Sequence, residues 1–345
     1  MPSRIEPVHA ESFIAEPFSP APFLRNPHLQ TLAGALLRRK GGIHYERARI
    51  DTPDGDFLDL DFAQVRGMDL PDDAPLLLGL HGLEGSARQG YMVALYRAAA
   101  QVGIQAVGLN MRSCSGEMNR TARLYHLGAT DDVAHALQWL EQRWPGRTRA
   151  LVGFSLGANL TLKLLGEQRQ DLPASLAVAV AISPPFDLTG KQALNQFPAI
   201  LYGWYLLRKL KRKARLHAAL IRQGGGDAYR AIQARTLREF DDAVTAPLHG
   251  FRDAEDYYAR CGAGSFLSTI RLPVLLIRAQ DDPFFNQDIP AERIAANPLL
   301  FQLFPEAGGH VGFLELDSRQ PWCIGEWAVR QALRFICQHL SVNEQ

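Results

Sequence analysis

Ser155 stands at the centre of Gly153-Phe154-Ser155-Leu156-Gly157, between an apolar run, Arg149 to Gly153, and a helix-compatible run, Ala158 to Gly166. Strand, one-residue corner and helix together lift a side chain clear of both flanking elements. A glycine two residues to either side lets strand and helix approach without a Cβ clash. A serine hydroxyl is a poor nucleophile until a neighbouring base takes its proton, and that base needs an orienting partner. Three fixed residues in five also describe a small residue in a tight turn, so the chemistry depends on the other two groups.

In a sheet that presents serine this way, acid and histidine are expected later in the chain, each in a loop just after a strand. The run Pro273 to Ile277 is followed by Arg278-Ala-Gln-Asp-Asp-Pro283, and Leu299 to Phe304 by Pro305-Glu-Ala-Gly-Gly-His310. Two glycines before His310 let its loop approach Ser155. The coincidence of strand, glycines and position favours a base over a structural histidine. Asp281 and Asp282 compete for the acid; position favours Asp282, followed by proline, with Asp281 as a cap or secondary partner. His81-Gly-Leu-Glu-Gly-Ser86 follows the apolar run Leu76 to Leu80. The Leu83 and Leu156 backbone N–H groups are the natural pair of oxyanion donors. His81 precedes the serine in the chain, which suits a shaper of that loop better than a base.

The elements that must position these groups follow from pattern. Short apolar runs at 76–80, 104–109, 149–153, 176–182, 273–277 and 299–304 alternate with helical stretches at 91–102, 131–143 and 158–166. That order makes parallel βαβ units, hence an α/β fold with a mostly parallel sheet covered by helices on both faces. Thr130 or Asp131 is available as a helix cap, and a final helix is expected from Pro321 to Leu340. Residues 1–42 hold many prolines and read as an arm, with one helical piece at Leu29 to Arg39 and a structural role for His28. The main domain spans 43–345. Ile43 to Gln64 reads as β structure around the Asp54-Gly55 turn, with Leu58, Leu60 and Phe62 inward and Asp59 and Asp61 on a wet face. Residues 186–270 break the alternation and read as a mostly helical cap inserted in this domain. Its apolar, aromatic stretch around Trp204 and its basic run 208–215 could touch lipid head groups, but a packed, half-solvated helix explains them as well.

Composition narrows the field. The chain has 345 residues, 47% hydrophobic and 21% charged, with a net charge of +1, which gives no global attraction to nucleic acid or anionic membrane. Cys114, Cys261, Cys323 and Cys337 show no C-x-x-C spacing, which fits neither a zinc site nor a disulfide framework and suits a reducing cytoplasm. The first residues lack a signal-peptide core, and no window is long and apolar enough to span a bilayer.

Several segments together carry a resemblance: Arg25-Asn-Pro-His-Leu-Gln-Thr31, His81 to Ser86, Arg112 to Glu117 with Asn119-Arg120, Leu124-Tyr-His-Leu-Gly128, Gly153 to Asn159, Ala279 to Pro283 and Gly309-His310. The chain resembles the α/β-hydrolase superfamily, and within it the YheT-type hydrolases related to abhydrolase-domain esterases and lipases. The resemblance implies a triad of Ser155, Asp282 and His310, no metal or other cofactor, and hydrolysis of carboxylic esters, short-chain or acylglycerol-like. Membrane-anchored relatives begin with a hydrophobic segment that this chain lacks, so their substrates and location do not carry over.

The expectation is therefore a cytoplasmic serine hydrolase working through an acyl-enzyme on a small-molecule or lipid-like ester. Transient membrane contact through the cap is allowed, and nucleic acid is not expected as a partner. Two other readings use the same residues: an acyltransferase that delivers the acyl group to an alcohol or amine, and a non-catalytic binding protein on the same fold. Arg112 and Glu117 could line the mouth of the site, though a structural role for their segment is preferred. Nothing marks Cys114 as a thiolate.

Overall fold

Helices of 12, 14 and 11 residues separate the apolar runs, too long for hairpin turns, so successive strands pair in parallel. The computed structural model describes residues 13–38, 41–167, 170–189, 198–285, 289–316 and 324–340. One eight-stranded sheet consists of β1 (Ile43–Asp51), β2 (Phe57–Val65), β3 (Leu76–Leu80), β4 (Gln105–Asn110), β5 (Arg149–Phe154), β6 (Leu176–Ile182), β7 (Val274–Ile277) and β8 (Leu300–Leu303). Its order is β1-β2-β4-β3-β5-β6-β7-β8; the β1–β2 and β2–β4 pairs are antiparallel and the rest parallel. This is the α/β architecture with a mostly parallel sheet that the alternation of runs predicts.

Preceding the sheet is α1 (Pro27–Leu36), whose first amides are capped by Asn26; its side chain accepts from the His28 and Leu29 N–H groups. Within the sheet come α2 (Gly90–Gln101), α3 (Thr130–Arg143) and α4 (Leu156–Gly166). One core layer joins α3 and α4 to the sheet, and another joins α2 and a last helix, Trp327–Leu340, to its opposite face. Between β6 and β7, the described residues form α5 (Ile200–Leu216) and a series of short helical turns. These have a small core of their own around Leu207, Ile221, Phe240 and Val244.

Several local expectations need correction. Helix α3 starts at Thr130 without a side-chain cap, because the cap position is Ala129, whose methyl accepts nothing; the Thr130 hydroxyl donates to Glu167 at 2.7 Å. The last helix begins at Trp327, since residues 324–326 pair as a short strand with Leu314–Leu316; residues 321–323 lie outside the described set. The helical piece in the arm ends at Leu36, and Arg39 is also outside the described residues.

Asp59 and Asp61 are not on a wet face; both are buried. Arg49 and Arg47 stand directly across the β1–β2 ladder and form paired hydrogen bonds with Asp59 and Asp61, while Arg88 reaches Asp61 from the α2 side. Alternation along one strand located its apolar side correctly, but could not show that arginines roof the other.

Candidate active site

Ser155 takes φ 53° and ψ −115° at the β5–α4 corner, a conformation that costs a non-glycine residue strain. The glycines around it are sterically required. A Cβ on Gly153 would lie 2.2 Å from the Gly157 carbonyl oxygen, and one on Gly157 would lie 2.4 Å from the Leu80 oxygen. The Ser155 N–H donates to the Ile182 carbonyl at 2.8 Å, which ties the corner to the end of β6.

The loop after β8 brings His310 to this serine. Its Nε2 is 2.9 Å from Ser155 Oγ, and its Nδ1 is 2.8 Å from Asp282 Oδ2. With the proton assigned to Nδ1, the imidazole donates to Asp282 and accepts from the serine hydroxyl. The Phe284 N–H donates to the other Asp282 oxygen at 2.8 Å. Asp281 faces elsewhere: it accepts the Gly309 N–H at 2.9 Å, and burial raises its carboxyl above the usual carboxylate range. Geometry thus joins Ser155, His310 and Asp282 in one hydrogen-bonded chain and puts Asp281 under the histidine loop.

That loop is held from behind by α1, which sequence reasoning treated as an arm laid over the domain. The His310 N–H donates to Thr31 Oγ1 at 2.9 Å, and the Gln30 side chain exchanges hydrogen bonds with the backbone of Leu314. Arg38 donates to the Val311 and Gly312 carbonyls and pairs with Glu326 at 2.7 Å. Asn26 at the cap and Pro27 at the first helical position are local signs of this helix.

On the other side of Ser155 lies the loop after β3. The Gly82 N–H donates to the Tyr91 hydroxyl at 3.0 Å, the Glu84 N–H to the Tyr125 hydroxyl at 2.8 Å, and the Gly85 N–H to the Gly82 carbonyl at 3.0 Å. Among the described residues the Leu83 N–H has no such acceptor, and the Leu156 N–H opens α4, where first-turn amides lack intrahelical partners. His81 is fully buried; its Nε2 accepts the Met111 N–H at 3.1 Å and its Nδ1 meets the Gly82 carbonyl at 2.8 Å. Desolvation drives its pKa down to about 4, so it stays neutral and fixes the loop.

Arg112 borders the cavity beside Ser155, and Glu117 does not border it. The Arg112 guanidinium is buried and pairs with Asp132, Asp56 and Asp54, while Glu117 pairs with Arg49. Cys114 has its thiol pushed up by burial, which opposes thiolate chemistry. His28 Nδ1 sits 3.2 Å from the Tyr202 hydroxyl, linking α1 to α5. Among the described residues no group of three or more His, Cys, Asp or Glu side chains is arranged to hold a metal ion.

Ser155, His310, Leu83 and Leu156 line a cavity of about 900 Å³. Its walls are otherwise largely apolar, with Leu124, Leu127, Leu206, Leu210, Phe240 and Tyr258 among them. Leu32 and Leu36 of α1 and Leu201 and Tyr205 of α5 line it too and are exposed, so they form its rim.

Residues 75–316 match the family described as alpha/beta hydrolase fold. The chain is 38% identical to "Putative esterase YheT" of Escherichia coli (strain K12), over 86% of this chain and 87% of that one. It is 33% identical to "Monoacylglycerol lipase" of Saccharomyces cerevisiae, over 73% of this chain and 58% of that one. Among solved structures, the esterase of Pyrobaculum calidifontis superposes with a TM-score of 0.56 at 18% identity, over 92% of both chains, a likeness of fold. The chain belongs to the alpha/beta hydrolase fold family.

Proposed function

We propose that this protein hydrolyses carboxylic esters through an acyl-enzyme. Ser155 Oγ attacks the acyl carbon as His310 Nε2 takes its proton, and the leaving alkoxide then receives that proton. Water attacks the acyl-serine in the second half, again with His310 as base. Asp282 holds the tautomer and stabilises the imidazolium, and the Leu83 and Leu156 N–H groups receive the oxyanion. The observation that carries this reading is the Asp282–His310–Ser155 chain, with contacts of 2.8 and 2.9 Å, opening into an apolar cavity. The cavity suits a single acyl chain, in keeping with the esterase and monoacylglycerol lipase names of two relatives. We take the helical residues between β6 and β7 as its cap.

The experiment is fluorophosphonate labelling with peptide mapping, together with ester turnover, on the wild type, Ser155→Ala and His310→Ala. Label at Ser155 that is lost without His310, with turnover abolished in both variants, is the expected result. Turnover retained by Ser155→Ala would overturn the assignment. A folded but inert wild type would favour a non-catalytic binding role, and acyl transfer to an added alcohol in preference to water would favour an acyltransferase.

The rim favours access from a lipid surface. One face of α5 exposes Leu201, Trp204 and Tyr205 and continues into exposed Arg208, Arg212 and Arg215, beside exposed Leu29, Leu32 and Leu36 of α1. Apolar side chains beside arginines suit anionic head groups. Among the described residues no helix is long and apolar enough to cross a membrane, so this contact would be peripheral and compatible with a cytoplasmic enzyme. Co-sedimentation with phosphatidylglycerol vesicles, weakened by Trp204→Glu, checks it; equal binding by the variant would sink it.

A further inference from the structure

We propose that α5 sets the oxyanion loop through Lys213 and Glu84, making Lys213 a positioning residue for the Leu83 N–H. This rests on the role given to Leu83 above.

In a trans peptide the N–H points opposite to the C=O of the preceding residue. The Gly82 carbonyl faces inward, where it meets His81 Nδ1 at 2.8 Å and the Gly85 N–H at 3.0 Å. The Leu83 N–H of the same peptide is therefore aimed the other way. Keeping it there requires the next residue to hold still, and Glu84 has φ 55°, a conformation that a side-chain-bearing residue keeps only when its surroundings over-determine it.

The surroundings do so at every polar group of Glu84. Its N–H donates to the Tyr125 hydroxyl at 2.8 Å, and that hydroxyl donates back to Glu84 Oε1 at 2.8 Å. Lys213 Nζ meets the same Oε1 at 2.8 Å, and Lys209 Nζ donates to the Glu84 carbonyl at 3.0 Å. The pair is largely shielded, with side-chain exposures of 16% for Lys213 and 4% for Glu84, so it escapes the screening that makes surface ion pairs weak. Lys209 and Lys213 lie four residues apart, hence on one face of the helix.

Towards its start α5 supplies Leu201, Tyr205 and Leu206 to the cavity, and Leu210 and Lys213 border it further along. One rigid helix thus contacts the space for the acyl chain and, two turns later, the loop carrying the oxyanion donor. A chain that seats against the first half of α5 steadies the second half, so filling the cavity favours the geometry that the tetrahedral intermediate needs. The basic run, read from sequence as a solvated face, is divided between the two roles: Arg208, Arg212 and Arg215 face solvent, and Lys209 and Lys213 grip the loop.

The test compares Lys213→Met, which keeps the stem and removes the ammonium, with Lys213→Arg and with Arg222→Met, a charge-matched control at an exposed arginine away from the rim. Ester kinetics and amide hydrogen exchange of the peptide containing residues 82–85 are read on each full-length protein. Lys213→Met is expected to lower kcat about 10- to 100-fold while KM moves less than about twofold, the signature of a weakened oxyanion donor. Exchange of the loop amides should speed up, Lys213→Arg should recover most of kcat, and Arg222→Met should behave as wild type. Should Lys213→Met fail to fold, Tyr125→Phe, which frees the other anchor, is expected to give the same kinetic and exchange signature. Unchanged loop exchange in a folded Lys213→Met protein overturns the proposal even if the wild type cleaves no ester. A fall in kcat shared equally by Arg222→Met overturns it as well.

Discussion

Phe284 lies flat on His310, with ring centroids 4.0 Å apart and planes 10° from parallel, while its own N–H donates to Asp282 at 2.8 Å. One residue therefore holds both the imidazole and the carboxylate that orients it. Phe285 closes a second side of the ring edge-on, at 5.2 Å. The histidine has little freedom to turn away from Ser155, and removing the stacked ring should restore it. Phe284→Ala is expected to reduce kcat about tenfold, an alignment loss rather than the loss of a reacting group. Labelling of Ser155 should persist at a lower rate. Full kcat in the variant would mean that the stacking plays no part in alignment.

Asp281 and Asp282 are neighbours with different work, and substitution separates them. Asp282→Asn removes the acceptor that fixes the His310 tautomer, and the expected loss in kcat is about 10³- to 10⁴-fold. Asp281→Asn keeps an acceptor oxygen for the Gly309 N–H and should cost less than about tenfold. Equal losses in the two variants, measured as kcat on one ester, would undo the assignment of the acid.

How much of this could be read from residues alone follows the reach of each signal. The serine corner, the six parallel strands and the loops carrying Asp282 and His310 are legible because each is written within about ten consecutive residues, as apolar runs, glycines and a reactive side chain. The burial of Asp59 and Asp61 is not, because it depends on Arg47 and Arg49 across a ladder and on Arg88 just before α2. The support of His310 by Thr31 is likewise hidden, since 279 residues separate donor and acceptor. Lys209 and Lys213 are indistinguishable in sequence from the arginines that alternate with them. Only the direction of α5 over the loop after β3 selects them.

The cavity makes a prediction about chain length. Leu206 lines it from α5, an element that carries none of the serine, histidine and acid. Leu206→Trp fills part of the space that a long acyl chain would occupy while leaving room near Ser155. Turnover of long-chain p-nitrophenyl esters should drop about tenfold or more, in line with the 1–3 kcal/mol that overpacking costs, and acetyl ester turnover should stay near wild type. Equal loss on both substrates would place the acyl chain elsewhere.

Buried histidines make the fold sensitive to mild acid. His81 has its pKa driven down to about 4 by burial, and protonating Nε2 would set it against the Met111 N–H that it now accepts. Burial lowers His126, His217 and His249 too. In the unfolded chain a histidine takes up a proton near pH 6.5, so the stability these groups contribute is complete above about 6.5 and drains away as pH falls toward 4. Asp241 acts in the opposite sense: desolvation raises it to about 6, and its contribution is complete below about pH 3.8 and lost as pH rises through about 6. Urea unfolding at pH 5 and pH 7.5 should give the lower stability at pH 5, by on the order of 1–2 kcal/mol. Asp241→Asn, which removes the opposing group, should widen that difference. A protein equally stable at both pH values in both forms would show that these histidines are free to charge within the fold.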